Sequence, residues 1–205
     1  MHEALAAFRD RHRGATAWLF GKGPSLDACL DEGHLEALRA RGGQVLCAVN
    51  ETVRDIAGAP YAFASDDCER WQMLYPAGVV LFQPVRVLRG RARPGCRVVH
   101  FEQRDAVDPV ERLRLGPAGW LERGLAALPG TITAALQILA IMGIDRIVCV
   151  GIDGGHGRSR RPWLTAPPPP DIDSYDEIRE AFICAAGVIG IALVFWSPAR
   201  ARSLA

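Results

Sequence analysis

Short apolar segments recur along the chain and alternate with segments of helical periodicity. The apolar segments are rich in Val, Ile, Leu and Phe, and they predict strands at 16–20, 44–49, 60–65, 78–82, 96–101, 145–151 and 191–196. Helical patterns lie at 3–12, 26–41, 51–57, 67–75, 131–142 and 173–189. Strands that are apolar on both faces and alternate with helices indicate a mainly parallel sheet. We therefore predict a three-layer, Rossmann-like α/β fold, with helices on both faces of the sheet, forming a single domain over residues 1–205.

Two stretches depart from this pattern. Between about 84 and 124 the periodicity loosens around an arginine-rich Gly/Pro turn, which predicts an irregular excursion, such as a hairpin, that faces either the substrate or solvent. Residues 154–172 show no periodicity, begin with glycines and contain four consecutive prolines. A loop of this length is typical of a lid, a binding loop or disorder. We interpret it as a lid that is mobile without ligand and ordered with it.

Composition and charge narrow the class of protein. The 205 residues carry a formal net charge of +1, which weighs against a nucleic-acid or membrane-surface binder. No apolar run reaches the roughly 20 residues of a membrane span, and the first residues lack the pattern of a signal peptide. Six widely spaced cysteines, without a Cys-x-x-Cys pair, are typical of buried free thiols. We expect a cytoplasmic protein and leave self-association open.

The end of the first predicted strand carries the only lysine of the chain. The turn there consists of Gly21, Lys22, Gly23, Pro24 and Ser25. A glycine turn that leads into a helix exposes backbone N–H groups at the positive end of the helix dipole, which suits a phosphate. Ser25 is a natural N-cap for the following helix. The alternative is a tight turn with a solvated lysine. The run has neither the Gly-Lys-Ser/Thr ending of a Walker A loop nor the third glycine of a dinucleotide fingerprint.

Polar residues also follow the second and third predicted strands. In parallel sheets ligands collect at the carboxyl ends of the strands. Asn50 follows the second strand, and its amide can donate and accept hydrogen bonds as base or ribose recognition requires, or it can simply cap the next helix. Ser65, Asp66 and Asp67 follow the third strand. Adjacent carboxylates there can hold Mg²⁺ or a ribose hydroxyl, although Asp67 can equally be an N-cap.

A second group of candidates surrounds an almost wholly apolar helix. Gly130 and Thr131 open this helix, which must be buried against the sheet, and the next strand delivers Asp153 to the same edge. Thr131 and Thr133 can offer hydroxyls to a polar ligand group or serve as caps, and we favour the cap for Thr133. Asp153 can accept a hydrogen bond from a sugar hydroxyl, ligate a metal, or cap the turn that follows it.

The loop after Asp153 supplies the candidates for proton transfer and anion binding. His156 is the only histidine near the predicted edge and is therefore the first candidate for a general acid or base, with Asp153 beside it. Arg158, Arg160 and Arg161 could clamp a phosphate or carboxylate if the loop closes. The alternative for His156 is that a lone histidine in a loop is incidental to function.

Together, the glycine-lysine turn and the segment from Gly130 to Asp153 resemble a Rossmann-like domain. It is shared by archaeal 6-hydroxymethylpterin pyrophosphokinase-like proteins, motility-accessory-factor proteins and Campylobacter-type bacterial sialyltransferases. In those sialyltransferases a Gly-Asn-Gly-Pro-Ser-Leu loop and a Cys-Asn strand end bind the CMP of a CMP-sugar. Lys22 stands at the loop asparagine, Asn50 at the strand-end asparagine, Thr131 at a nucleotide-contacting serine and Asp153 at the aspartate of a Gly-Ile-Asp motif. The Phe-Tyr that follows this aspartate is absent here.

The resemblance implies a nucleotide-dependent transferase. The first expectation is a glycosyltransferase of surface-glycan synthesis that uses a CMP-sugar donor and a glycan or small-molecule acceptor, with no cofactor. The alternative is pyrophosphoryl transfer to a hydroxymethylpterin-like alcohol, which would need Mg²⁺ with Asp66 and Asp153 as ligands. A third hypothesis is a nucleotide- or glycan-binding module that has lost catalytic groups.

Overall fold

A seven-stranded, all-parallel sheet forms the centre of the molecule. The computed structural model describes residues 4–65, 75–85, 96–161 and 175–199. The strands of the sheet are β1 (Thr16–Phe20), β2 (Val45–Val49), β3 (Tyr61–Phe63), β4 (Val80–Pro84), β5 (Arg97–Phe101), β8 (Arg146–Val150) and β9 (Ala192–Phe195). Their order across the sheet is β5-β4-β3-β2-β1-β8-β9. A separate parallel pair joins β6 (Gln103–Arg104) to β7 (Leu125–Ala126).

Helices cover both faces of this sheet, so the predicted three-layer α/β fold is confirmed. The helices are α1 (Ser25–Asp31), α2 (His34–Arg41), α3 (Pro109–Arg114), α4 (Gly116–Arg123), α5 (Thr131–Ile141) and α6 (Asp176–Ile189), with 3₁₀ helices at Leu5–Phe8 and Asn50–Arg54. Residues of α1 and α2 belong to one buried apolar cluster, and residues of α5 and α6 belong to the other. No helix among the described residues is long and apolar enough to cross a membrane.

The order of the strands creates a topological switch point between β1 and β8. From β1 the chain moves outward through β2, β3 and β4 to β5, and it then returns to the other side of β1 to form β8 and β9. Phe20, the last residue of β1, is in register with Ala48 of β2 and Val150 of β8. In an open parallel sheet, ligands bind in the crevice at the carboxyl ends of the strands on either side of such a point.

Two predicted elements differ from the structure for local reasons. The helix expected over 26–41 is divided, because Gly33 adopts a left-handed φ of 72° between α1 and α2. The sequence predicts an irregular excursion near 84–124, but this stretch contains β5, β6, α3 and α4. Because β5 pairs parallel to β4, these two strands do not form a hairpin. Asp108 starts α3 by accepting hydrogen bonds from two backbone N–H groups. Residues 86–95 of that stretch, and residues 67–74 of the helix expected at 67–75, lie outside the described residues.

The apolar helix α5 is buried as predicted, and its polar residues are used internally. The Thr133 hydroxyl lies within hydrogen-bond distance of the carbonyls of Leu128, Pro129 and Gly130. It therefore donates to the chain before the helix, and because the start of α5 has no side-chain cap bond, the cap predicted for Thr133 is wrong. The Gln137 amide accepts from Ala126 N–H at 2.8 Å and donates to Ala126 C=O at 3.1 Å. These bonds fix β7 against α5.

Candidate functional site

The loops that follow β1 and β8 are packed directly against one another at the switch point. Gly21 N–H donates to the carbonyl of Val150, and Gly23 N–H donates to the carbonyl of Gly151, both at 2.7 Å. A Cβ on Gly151 would lie 2.3 Å from the carbonyl oxygen of Gly21. The glycines are therefore required by a close approach of two protein backbones, rather than by the approach of a ligand.

A carboxylate of the protein occupies the start of α1. Asp153 Oδ2 accepts a hydrogen bond of 2.8 Å from Ser25 N–H, and the Ser25 hydroxyl accepts one of 2.7 Å from Gly151 N–H. Ser25 is consequently the first residue of α1 and not its N-cap, which is Pro24. The open phosphate cup predicted at residues 21–25 is closed in this structure, because a phosphate would have to displace Asp153 from Ser25. Nucleotide binding by this turn stays a prediction.

The segment of residues 157–161, which we call the strap, lies over the turn after β1. Ser159 N–H donates to the carbonyl of Lys22 at 2.8 Å. The carboxylate of Asp27 accepts hydrogen bonds from the Ser159 hydroxyl and from Arg160 N–H, the latter at 2.7 Å. The preceding residues are also anchored, because Gly155 N–H donates to Asp176 at 2.8 Å. The part of the predicted lid at 154–161 is thus bonded to the rest of the protein, and residues 162–172 lie outside the described residues. The mobility expected of the lid stays a prediction.

The three arginines predicted as an anion clamp contact side chains of the protein. Arg161 pairs with Asp31 at 2.7 Å, and both Arg160 and Arg161 lie within 4 Å of the Asp27 carboxylate. In this structure the charges of these two residues compensate acids of α1, and their role as an anion clamp stays a prediction. Arg158 donates to the Tyr175 hydroxyl, and its guanidinium lies 5.4 Å from the centre of that ring.

The partly buried carboxyl group of Asp55 interacts with the charges of Arg161 and Asp27. Burial raises the pKa of Asp55, the charge of Arg161 opposes this rise, and Asp27 adds to it. Asp55 Oδ2 is buried and has no hydrogen-bond partner among the described residues. Arg161 therefore serves as the counter-charge for several carboxylates at once, which further explains why it is directed toward the protein.

His156 is exposed, and the described residues give its ring no hydrogen bond or ion pair. A general base is normally oriented by a neighbouring group, so the structure adds no support to the role predicted for His156. The role stays a prediction.

Lys22 forms a buried ion pair with Glu51, a residue that the sequence interpretation missed. The Lys22 ammonium contacts the Glu51 carboxylate directly. The Glu51 side chain is only 6% exposed and the Lys22 side chain 22% exposed, so the alternative of a solvated lysine is wrong. The available signal was a glutamate two residues after the end of β2, in a chain whose one lysine follows the neighbouring strand β1.

Asn50 combines a left-handed backbone with a buried polar atom at this edge of the sheet. Its backbone adopts φ 53°, the residue is 9% exposed, and its Oδ1 atom is buried with no hydrogen-bond partner among the described residues. The side chain makes no capping bond to the 3₁₀ helix that it begins. Thr52 closes this turn instead, since its hydroxyl accepts from Val49 N–H at 3.0 Å and reaches the carbonyl of Phe20 at 2.9 Å.

Two further candidates lie at this carboxyl edge of the sheet. Thr131 is the first residue of α5, which packs on β2 and β3, and it is 9% exposed. Ser65 follows β3 and is half-buried. Asp66 and Asp67 lie outside the described residues.

The described part of the chain contains no group of three or more acidic, histidine or cysteine side chains arranged to hold a metal ion. Asp153, one of the two ligands expected for Mg²⁺, is bound to Ser25 N–H, and Asp66 is outside that part. The residues that can be described therefore do not assemble the expected magnesium site.

The fold and its edge define a Rossmann-like α/β protein with a polar cluster beside a topological switch point. No protein-family model, no curated protein sequence and no solved structure matches the chain. The function is therefore argued from the site itself.

Proposed function

We propose that the protein is a nucleotide-dependent transferase, and specifically a glycosyltransferase that takes a CMP-sugar donor. The nucleoside would bind at Asn50 and Thr131, and the phosphate would lie toward Lys22. The proposal is supported by the Rossmann-like sheet, by the position of these residues at its carboxyl edge, and by the resemblance of the strand-end motifs to those of bacterial sialyltransferases.

The observation that carries the proposal is the buried amide oxygen of Asn50, which has no hydrogen-bond partner among the described residues. A buried acceptor without a donor costs about 1–3 kcal/mol, and a left-handed backbone at a non-glycine residue adds strain. A buried polar group without a partner calls for an explanation, and we infer that a ligand supplies the missing donor here. An amide oxygen accepts from an exocyclic amine such as that of cytosine, or from a ribose hydroxyl.

The Lys22 ammonium is the cation of this turn, and Glu51 already compensates its charge. A donor phosphate there would have to share the ammonium with Glu51 or displace that carboxylate from it. In the transfer, the acceptor oxygen bonds to the anomeric carbon of the sugar, the bond from this carbon to the phosphate oxygen breaks, and CMP leaves. A base takes the proton of the acceptor hydroxyl, and His156 stays our candidate for it.

A nucleotide-binding module without catalysis is the second candidate function. It is favoured by the exposure of His156 and by the absence of a hydrogen bond to its ring from the described residues. Both candidates require the same nucleotide site, and they differ in whether CMP is released from a CMP-sugar. Pyrophosphoryl transfer rests on Asp66, which the structure does not describe.

Asn50→Gly should abolish most nucleotide affinity without unfolding the protein. Glycine removes the amide and accepts the left-handed backbone without a steric cost, so the fold is retained. We expect the Kd for CMP, measured by titration calorimetry, to rise about tenfold or more. Asp10→Gly is the matched control, because Asp10 is the other described non-glycine residue with positive φ (57°) and lies outside the site. Equal affinities of Asn50→Gly and wild type would refute the assignment.

A further inference from the structure

The strap is held on the rest of the protein almost entirely by polar contacts. Ser159 is its one buried member, and the apolar core includes no residue from Asp153 to Arg161. The side chain of Arg160 is 87% exposed. A segment that buries little apolar surface opens at a lower free energy than the core does, so its position depends on a few specific bonds.

The Asp27 carboxylate is the centre of these bonds. Asp27 is 6% exposed on α1, and it accepts from the Ser159 hydroxyl and from Arg160 N–H while Arg161 lies 3.5 Å away. These bonds involve an ionised acceptor, and such bonds are stronger than those between neutral groups. One buried side chain therefore fixes three consecutive residues of the strap.

The strap covers the turn that a donor phosphate would approach. Gly157 is so close to Pro24 that a Cβ at residue 157 would lie 2.8 Å from Pro24 Cγ. Ser159 N–H is bonded to the carbonyl of Lys22, and Asp153, at the other end of the same loop, is bonded to Ser25 N–H. The strap thus covers the turn, and the Asp153 carboxylate occupies the N–H of Ser25 in the first turn of α1.

We propose that Asp27 is a latch that holds the strap closed over the turn at residues 21–25, and that the strap must open before an anionic ligand reaches this turn. The requirement that the strap open for an anionic ligand rests on the proposed function. Opening breaks the bonds of Ser159 and Arg160 to Asp27 and allows Asp153 to leave Ser25. The latch therefore regulates access to the candidate site through local opening rather than through a separate effector.

Limited proteolysis with trypsin tests the latch without any ligand. The peptide bonds after Arg158 and Arg160 lie in the strap, and residues 162–174 contain no lysine or arginine. In Asp27→Asn, an amide replaces the carboxylate, so the charge is lost and one acceptor becomes a donor. Cleavage at Arg158 and Arg160 follows the population of the open strap, and we expect it to be about tenfold faster than in wild type.

Two further variants separate the latch from a general loss of stability. Asp31→Asn changes an exposed acid of the same helix that contacts only Arg161 of the strap, and cleavage should stay within about twofold of wild type. Ser159→Ala leaves α1 unchanged and removes one bond to Asp27, so cleavage should rise about fivefold. Unchanged cleavage in both Asp27→Asn and Ser159→Ala, with wild-type Tm, would overturn the latch.

The link to ligand entry is tested with CMP as the probe. If opening limits entry, Asp27→Asn should bind CMP about tenfold more tightly, because the apparent Kd falls as the open fraction rises. Faster cleavage with an unchanged Kd would overturn the regulatory role. Absence of CMP binding by both proteins would instead count against the proposed function, while the proteolysis alone decides whether the latch exists.

Discussion

Gly151→Ala is expected to lower the free energy of unfolding by about 3–5 kcal/mol, since it combines a disfavoured backbone conformation with a collision. Gly151 has φ +68°, which L residues with a side chain rarely adopt. The added Cβ would lie 2.3 Å from the carbonyl oxygen and 2.7 Å from the carbonyl carbon of Gly21. Both atoms belong to the backbone at the end of the central strand β1, so they cannot move without disturbing the pairing of β1 and β8.

Gly155→Ala provides the matched control for this prediction. Gly155 lies in the same loop with φ +64°, but no atom lies within 4 Å of the position of its Cβ. The cost should therefore be the conformational one alone, about 1–2 kcal/mol. Urea denaturation of the two variants measures both losses. A similar loss in each would show that the close approach of the two loops contributes nothing to stability.

Lys22→Met is expected to cost about 2–3 kcal/mol of stability, because it leaves the Glu51 carboxylate buried without its cation. The Glu51 side chain is only 6% exposed, whereas Lys22 is 22% exposed, which keeps the expected loss below that of a fully buried pair. Methionine retains most of the apolar stem of lysine, so the loss reports mainly on the charge. Chemical denaturation at neutral pH gives the value.

Two further variants are the controls for Lys22→Met: a double variant that also changes Glu51, and a variant that breaks an exposed ion pair. Adding Glu51→Gln to Lys22→Met removes the uncompensated charge and should recover about half or more of the lost stability. Arg104→Met breaks an exposed pair with Glu102 at 2.7 Å and should cost at most about 1 kcal/mol. The importance of the Lys22–Glu51 pair would be contradicted by either of two results. One is a loss of stability in Lys22→Met no larger than that in Arg104→Met, and the other is a double variant that recovers none of the lost stability.

Hydrophobic patterning was sufficient to predict most of the fold. Parallel strands buried on both faces produce continuous apolar segments, so all seven strands of the main sheet were predicted within a few residues of their observed bounds. The division of the helix at Gly33 was missed because a single glycine inside a helical pattern lowers helix stability without necessarily ending the helix. Helices α3 and α4 were missed because they are short and each has only one fully buried residue, Leu113 and Trp120, which leaves little periodicity to detect.

The sequence was sufficient to predict which residues lie at the candidate site, but not which partners they contact. Strand ends in a parallel sheet meet at one edge, so Lys22, Asn50, Thr131 and Asp153 could all be assigned to it from the sequence. The acceptor for Ser25 N–H could not be predicted, because a glycine turn before a helix suits a phosphate and a carboxylate equally. The same limit applies to the arginines of the strap, whose acidic partners are more than 100 residues away in the chain.

The central claim is that the edge bearing Asn50 binds the nucleotide of a CMP-sugar. Titration calorimetry of the wild-type protein with CMP and with ATP, each in the presence and absence of Mg²⁺, tests it most directly. The proposal predicts binding of CMP without metal, and tighter than binding of ATP. Binding of ATP alone and only with Mg²⁺, or no binding of either nucleotide, would contradict it.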